Sequence, residues 1–230
     1  MSTHRFRPLI HSGRIWQAGP MSFSGPSPAP PPVLGAASAA AGGLLLPGRP
    51  FSGNELRAME LDGLLVNVLE GGYVGAMDTV TPAHRALAAA ALVPEGFRHK
   101  VALGRMTAAW VYGCAEPAEK IAVLLDHRYR ATSQGRCRAI HIHEVMLGPS
   151  DTVSMAGVAV TSPLRTALDI AVHAPEEDAV PALLALSSAP ALKCPLGYVR
   201  QALQSRDRLP GKARALERIA AALAARAGEA

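Results

Sequence analysis

The chain has 230 residues, of which 49% are apolar and 18% are charged, so it can form one large or two small domains and is not globally disordered. Its three cysteines, Cys114, Cys137 and Cys194, are odd in number and far apart. This spacing argues against a disulfide framework and favours a reducing, cytoplasmic setting. Since no window of 18 uninterrupted apolar residues occurs and no secretory signal pattern is visible, we expect no membrane span and no export.

Charge is distributed unevenly along the chain. Residues 1–50 carry a net +4, residues 51–95 carry −4, residues 96–150 carry +4 and residues 151–230 carry +1. The total of +5 permits nucleic-acid binding but does not establish it. Any phosphate-binding surface is therefore expected in the middle of the chain or in its C-terminal helices, unless the N-terminal segment contributes.

The first 50 residues have the composition of a low-complexity tail. Residues 22–32 read SFSGPSPAPPP and residues 35–43 read GAASAAAGG. Proline opposes helix formation, and small side chains bury too little apolar surface to offset the entropy lost on ordering. We therefore expect residues 1–50 to be disordered.

Order is expected to begin near Phe51 with a short helix. Asn54 is the candidate N-cap for a helix over residues 55–61, because its side-chain oxygen can accept a hydrogen bond from a first-turn N–H. Asp62-Gly63 follows and is typical of a helix C-terminus. The predicted helix is therefore short and ends in a turn.

A hairpin is predicted directly after this helix. Residues 64–69 form an apolar, β-branched run, Gly71-Gly72 is a two-residue turn signal, and Tyr73-Val74 begins the return strand. Helix, strand, tight turn and strand form the second half of a winged helix-turn-helix. Other small α+β domains share this order, so the pattern does not decide between them.

The rest of the chain predicts a mixture of helices and strands. Thr81-Pro82 and Ser162-Pro163 are typical of helix starts, with a capping hydroxyl followed by a proline that fits the first turn. Helices are predicted over residues 83–93, 107–112, 164–173, from 176 onward, 197–206 and 210–226, and strands over residues 100–103, 119–126, 137–147 and 158–161.

The sequence lacks the short motifs of common enzymes. It contains no G-x-S-x-G elbow, no H-E-x-x-H pair and no phosphate-binding loop, and the run GGYVG follows a predicted strand without opening a helix. We therefore expect no catalytic residues and no cofactor.

One group of metal-ligand residue types requires an interpretation. Along the predicted strand 137–147, Cys137, His141 and His143 would share one face, with His127 on a neighbouring strand. The favoured interpretation is a polar, solvent-facing side of a strand. A metal site stays open as an alternative that would need a fourth ligand.

Two basic features are candidates for contacts with phosphates or a partner. Arg165 lies four residues before Asp169, so the two can pair on one helix face, or Arg165 can contact a phosphate at the helix start. The segment 206–218 has more bases than acids and includes Arg208, Lys212 and Arg214. It is either a solvated helix face or a surface for phosphates or an acidic partner.

Four segments in order carry a family resemblance. They read ELRAMELDGLLVNVLEGGYV from residue 55, ALGRMTAAWVYG from residue 102, GVAVTSPLRTALDIA from residue 157 and LPGKARALERIAAAL from residue 209. Across residues 51–223 the chain resembles the actinobacterial AbiEi-type antitoxins of type IV toxin–antitoxin systems, in the short form without a nuclease domain.

This resemblance implies an α+β protein with two parts. After the tail over residues 1–50, which composition alone predicts, come a degenerate winged helix-turn-helix over residues 51–95 and a mixed α/β antitoxin domain over residues 96–230 that ends in helices. It also implies an antitoxin that binds double-stranded operator DNA, represses its own operon and counters a nucleotidyltransferase-like toxin.

On this hypothesis the candidate residues fall into two sets. The candidate DNA contacts are Asn54, Arg57, Gly71, Gly72, Arg98, Lys100 and Arg105, and the candidate partner or phosphate contacts are Arg165, Arg208, Lys212 and Arg214. The acidic excess of residues 51–95 leaves an alternative open, in which the protein is a non-catalytic interaction module whose DNA binding has decayed.

Overall fold

The computed structural model of the chain describes residues 43–48, 50–129 and 137–228. The predicted tail therefore lies almost wholly outside the described residues. The remainder is a mixed α/β fold with one mixed sheet, which confirms the predicted mixture of helices and strands. The elements in chain order are α1 Gly53–Leu61, β1 Leu65–Leu69, β2 Gly72–Gly75, α2 Pro82–Ala91, α3 Glu95–Arg98, β3 Val101–Leu103, α4 Arg105–Val111, β4 Ile121–Asp126, β5 Ile140–Val145, β6 Thr152–Met155, β7 Val158–Thr161, α5 Pro163–His173, α6 Glu176–Ser188, a 3₁₀ turn Pro190–Leu192, α7 Leu196–Gln204 and α8 Lys212–Gly228.

Helix α1 begins earlier than predicted, because Ser52 and not Asn54 is its N-cap. The Ser52 hydroxyl accepts a hydrogen bond from the Glu55 N–H (3.3 Å), and the Glu55 carboxylate accepts one from the Ser52 N–H (2.7 Å). This reciprocal capping box satisfies two backbone donors, whereas an Asn54 cap would satisfy one. Asn54 lies in the first turn, exposed, so its predicted capping role is wrong.

The predicted hairpin is confirmed, but its turn is shifted by one residue. Strands β1 and β2 pair antiparallel, with Leu69 opposite Gly72, so the turn consists of Glu70 and Gly71. Gly71 has φ +77°, a left-handed conformation that favours glycine. Gly72 is a buried strand residue, where an added Cβ would lie 3.0 Å from the Cβ of Ala88.

A small apolar cluster holds α1 against the hairpin. Leu56, Leu65 and Tyr73 form this cluster, and Leu45 pairs with Tyr73 through two backbone hydrogen bonds of 2.7 and 3.0 Å. We call residues 43–48 and 50–78 the helix–hairpin unit.

The five-stranded sheet has the order β5-β4-β3-β7-β6. Strands β4 and β5 are parallel, β3 is antiparallel to β4 and parallel to β7, and β6 is antiparallel to β7. The sequence did not predict β6, a four-residue strand with the weak pattern TVSM. One face of the sheet carries Leu103, Val123 and Val160 into the main core, while the other carries His143 opposite Leu124.

The main core lies between the sheet and the helices. It includes Ala86 and Ala89 of α2, so the helix that the sequence assigned to the N-terminal domain packs with the α/β body. We call residues 79–129 and 137–228 the body. No single helix in the described part of the chain is long and apolar enough to cross a membrane, although the bent pair Glu176–Ser188 and Pro190–Gln204 reaches that length and composition together.

Candidate functional site

The surface of the helix–hairpin unit is acidic. Its acids are Glu55, Glu60, Asp62, Glu70 and Asp78, and its single base within the described residues is Arg57. The Arg57 guanidinium lies 2.7 Å from the Glu60 carboxylate, so its charge is partly neutralised. Among the predicted DNA contacts of this unit, Asn54 and Arg57 are exposed, Gly71 lies in the hairpin turn, and Gly72 is buried under Ala88.

The same surface exposes large apolar side chains. Met77 is 90% exposed, Leu61 76%, Leu64 59% and Val66 43%. The backbone N–H of Ala76 donates to the Leu64 carbonyl, so Leu64 and Met77 lie on adjacent strand ends. Acidic and apolar groups therefore occur together on this unit.

In the body, several cations bond the carbonyl ends of helices. Arg98 donates to the carbonyls of Val93 (2.7 Å) and Ala91 (3.2 Å), at the end of α2. Lys212 donates to the carbonyls of Gln204 (2.8 Å) and Arg206 (2.6 Å), at the end of α7. The last carbonyls of a helix have no intrahelical donor, and its C-terminus carries partial negative charge.

The C-terminus of α5 is bonded in the same way by α8. Arg214 donates to the Val172 carbonyl (2.9 Å), and Arg218, which is buried, donates to the Ala171 carbonyl (3.0 Å) and pairs with Glu176. The guanidinium of Arg218 also lowers the pKa of the Glu176 carboxyl. Arg214 and Arg218 therefore connect α8 to the C-terminus of α5. The DNA or partner contacts predicted for Arg98, Lys212 and Arg214 stay predictions.

Two predicted contact residues are less constrained. Lys100 is half-buried and lines a cavity of about 310 Å³ together with Asp126 and Arg128. Arg208 is exposed in the loop before α8. Neither side chain forms a hydrogen bond or ion pair with the described residues, and the phosphate contacts predicted for both stay predictions.

Six polar side chains lie near one another along α5, and we call this cluster the polar groove: Arg105, His143, Asp151, Arg165, Asp169 and His173. Three of its members, Arg165, Asp169 and His173, are spaced four residues apart and so share one face of α5. The predicted pairing of Arg165 with Asp169 is confirmed, with Nε 3.0 Å from each carboxylate oxygen. The Arg165 Nη1 also donates to Asp151 (2.7 Å) and to the Met146 carbonyl (3.1 Å).

The start of α5 is held by hydroxyl groups. The hydroxyl of Thr161 lies 2.7 Å from that of Thr166, and the Tyr112 hydroxyl donates to the Thr161 carbonyl (2.6 Å). Burial raises the pKa of the Tyr112 phenol, which stays protonated as a donor. The sequence signal for this junction is T-S-P-L-R-T-A-L-D, in which the hydroxyls and the ion pair are both present.

Arg105 is the residue of the groove that is least satisfied by the protein. Its φ is +54°, a conformation that costs a residue with a Cβ about 1–2 kcal/mol. Its Nε is buried and has no hydrogen-bond partner within residues 43–48, 50–129 and 137–228. Burial lowers the pKa of its guanidinium, while the nearby Asp169 carboxylate opposes this shift. From the sequence, Arg105 was predicted only to contact a phosphate of the DNA backbone. Nothing in the sequence indicates its left-handed conformation.

The histidines of the groove lie in a positive local potential. Burial, followed by the charge of Arg105, lowers the pKa of His143 to about 4. Partial desolvation, then Arg105 and Arg214, lowers the pKa of His173. The rings of His141 and His143 lie 4.3 Å apart, centre to centre, on the same side of β5. Both groove histidines are therefore neutral at pH 7.

Of the four residues that suggested a metal site, His141 and His143 lie together on β5, whereas Cys137 and His127 lie away from them. Strand β5 begins at Ile140, so Cys137 precedes it and packs against the main core. His127 lies beside Val145, at the opposite end of β5 from His141. In the described ranges no group of three or more His, Cys, Asp or Glu side chains is arranged to hold a metal ion.

The buried thiols are poorly suited to nucleophilic chemistry. Burial raises the pKa of both Cys114 and Cys194 to about 11, so both stay protonated at neutral pH. The thiolate is the reactive form of cysteine. These two residues therefore serve as packing groups.

Comparisons with known proteins include a distant structural similarity. No protein-family model matches the chain, and no curated protein matches it by sequence. Among solved structures, the chain is similar to the crystal structure of the RV2827C protein from Mycobacterium tuberculosis, with a TM-score of 0.41 and 18% sequence identity. The alignment covers 74% of this chain and 68% of that one. Similarity at this level assigns neither a family nor an activity.

Proposed function

We propose that the protein is a DNA-binding antitoxin and transcriptional autorepressor of a type IV toxin–antitoxin system, which counters a nucleotidyltransferase-like toxin. The observation that carries this proposal is the helix–hairpin unit, in which α1 is followed by an antiparallel hairpin whose second strand pairs with Leu45. A short helix followed by a hairpin matches the second half of a winged helix-turn-helix and supports the proposal.

The proposed DNA contacts combine both parts of the molecule. Exposed Asn54 and Arg57 on α1 would contact bases in a groove of the DNA. The Glu70-Gly71 turn would be the wing and would lie near the DNA backbone. Lys100 and Arg208 supply cations that no described residue neutralises. Since the helix–hairpin unit carries more acids than bases, the phosphate contacts must come mainly from outside it.

The direct test is a gel shift with the DNA upstream of the gene for this chain. We expect retardation at 50 mM salt that weakens at least about tenfold at 200 mM, because each neutralised phosphate releases counterions. Asn54→Ala should reduce the preference for that DNA over a scrambled duplex, whereas Gln201→Ala, an exposed change on α7, should not. The absence of any retardation at low salt would remove DNA binding from the proposal.

The antitoxin part needs a separate test. Co-expression with the protein encoded next to this chain should relieve growth inhibition if that neighbour is a nucleotidyltransferase-like toxin. A neighbour whose toxicity this chain leaves unchanged would contradict the proposal even if DNA binding is found.

A second candidate function is a protein-interaction module without DNA binding. The acidic charge of the helix–hairpin unit, next to exposed Leu61, Leu64 and Met77, favours it. On this alternative the unit binds a basic protein surface. Replacing Leu64 and Met77 with serine would then abolish partner recovery in a pull-down while leaving the gel shift absent in both proteins.

A further inference from the structure

Arg105 in the polar groove destabilises the fold, and no contact within the described residues offsets this loss. Arg105 adopts φ +54° directly after Gly104, and its buried Nε has no partner there. Glycine at this position would remove the backbone strain, and a shorter side chain would remove the unpaired donor. A strained backbone and an unpaired buried donor are typical of residues that bind a ligand. A residue with only a structural role could be replaced by one that has neither, and the fold would become more stable.

Of the two arginines in the polar groove, Arg105 is the one whose charge is not balanced by an ion pair within the described residues. Arg165 is nearly buried and bonds both Asp151 and Asp169, so its charge is balanced within the protein. The Gly104 N–H donates to the Ala122 carbonyl, and Ala122 pairs with His141, so Arg105 follows β3 close to the histidine side of β5. Neutral His143 and His173 can each donate one ring N–H or, once protonated, a charged one.

We propose that the polar groove binds a terminal phosphate group, as in inorganic phosphate or a small phosphomonoester, with Arg105 as its principal ligand and His143 and His173 as additional donors. Guanidinium groups bind phosphate oxygens through charge-assisted hydrogen bonds, and the Nε is one of the donors available for this. An anion in the groove would also stabilise protonated His143 and His173, which Arg105 otherwise disfavours.

The partial burial of Arg105 favours a terminal phosphate over a phosphodiester. Arg105 is half-buried, and the carboxylates of Asp151 and Asp169 lie in the same groove. A phosphodiester of a duplex is substituted on both sides and has two free oxygens, whereas a terminal phosphate has three free oxygens and can approach the half-buried Arg105 side chain end-on. The proposal does not depend on DNA binding by the protein.

Thermal denaturation in matched chloride and phosphate buffers tests the proposal. At pH 7 and equal ionic strength, inorganic phosphate at about 20 times its Kd should raise the Tm of the wild-type chain by about 4–7 °C. Glycerol 3-phosphate should act in the same way, and dimethyl phosphate should not. Failure of both phosphate and the monoester to raise the Tm of the wild-type chain, or an equal rise with the diester, would overturn the proposal.

Two substitutions at Arg105 separate binding from folding. Arg105→Gln should remove the phosphate-dependent rise in Tm. Arg105→Gly should raise the Tm in chloride by about 2–4 °C, because it relieves the left-handed backbone, and should also lose the phosphate effect. Arg200→Gln, a matched exposed change on α7, should keep the full phosphate effect. A phosphate-dependent rise that persists in both Arg105 variants would contradict the assignment of Arg105.

Discussion

The helix–hairpin unit and the body use their charged residues in opposite ways. In the helix–hairpin unit most charges are acidic and lie on the surface. Arg57, the single base among the described residues of this unit, pairs with Glu60. In the body, Arg98, Lys212 and Arg214 bond helix carbonyls, and Arg165 is enclosed by two aspartates. A positive net charge is therefore a poor measure of the positive surface that the protein offers to a ligand.

The largest expected effect comes from breaking the buried ion pairs of the body. Arg165→Ala leaves Asp169 buried without its partner and removes the bond to Asp151, so it should lower the free energy of unfolding by about 3–5 kcal/mol. Urea denaturation measures this change. Arg57→Ala, which breaks the exposed pair of the helix–hairpin unit, is the control and should cost less than about 1 kcal/mol. Equal losses from the two variants would contradict the contrast between the regions.

An intermediate effect is expected where an arginine bonds a helix end. Arg98→Ala removes two hydrogen bonds to carbonyls at the end of α2, and we expect a loss of about 1–3 kcal/mol in the same urea experiment. Arg208→Ala removes an exposed charge and should change stability by less than about 0.5 kcal/mol. If Arg98→Ala lowers the free energy of unfolding no more than Arg208→Ala does, the bonds to the carbonyls do not stabilise the fold. Arg98 would then count as a surface cation.

A smaller effect tests the N-cap of the helix–hairpin unit. Ser52→Ala should lower the free energy of unfolding by about 1 kcal/mol, because it removes the side-chain half of the capping box. Asn54→Ala, at the position first predicted to cap α1, should cost about half as much or less. The reverse ranking of these two variants would restore Asn54 as the cap.

The smallest effect is a pH dependence in the body. The pKa of folded His143 is about 4, below its ordinary value of 6.5, so unfolding takes up a proton between these values and stability falls as the pH drops from about 6.5 to 4. His143→Gln removes this contribution and should lose less Tm between pH 7 and pH 5 than the wild-type chain does. Identical pH profiles would show that burial and the charge of Arg105 do not hold His143 neutral.

Much of the fold was predictable because local patterns agree with tertiary structure. Ser162-Pro163 begins α5 as predicted, and the strand at Val158–Thr161 matches the prediction at both ends. The capping error arose because Ser52 and Asn54 are both good N-caps, and the Glu three residues after Ser52 decides between them. Strand β6 was missed because its four residues carry no strong alternation and depend on pairing with β7.

The candidate site was less predictable than the fold. The Arg165–Asp169 pair follows from a spacing of four residues on a helix, and it was predicted. By contrast, Arg214 bonds a carbonyl 42 residues away, so this contact depends on how α5 and α8 pack, which local sequence does not encode. Arg98 and Lys212 bond carbonyls five to eight residues earlier, but the turns that bring them there carry no motif that predicts these bonds. The strain at Arg105 has no sequence signal either, because a left-handed arginine looks like any other arginine in the sequence.

The salt dependence of DNA binding by two double variants tests the account most directly. Lys100→Gln with Arg208→Gln removes two of the cations that have no partner among the described residues, and it should reduce the slope of log K against log salt by about 1.8, since each phosphate contact contributes about 0.9. Arg98→Gln with Arg214→Gln removes two cations that bond carbonyls, and it should lower the Tm but leave the slope unchanged. A reduced slope in the second variant, with none in the first, would contradict the account.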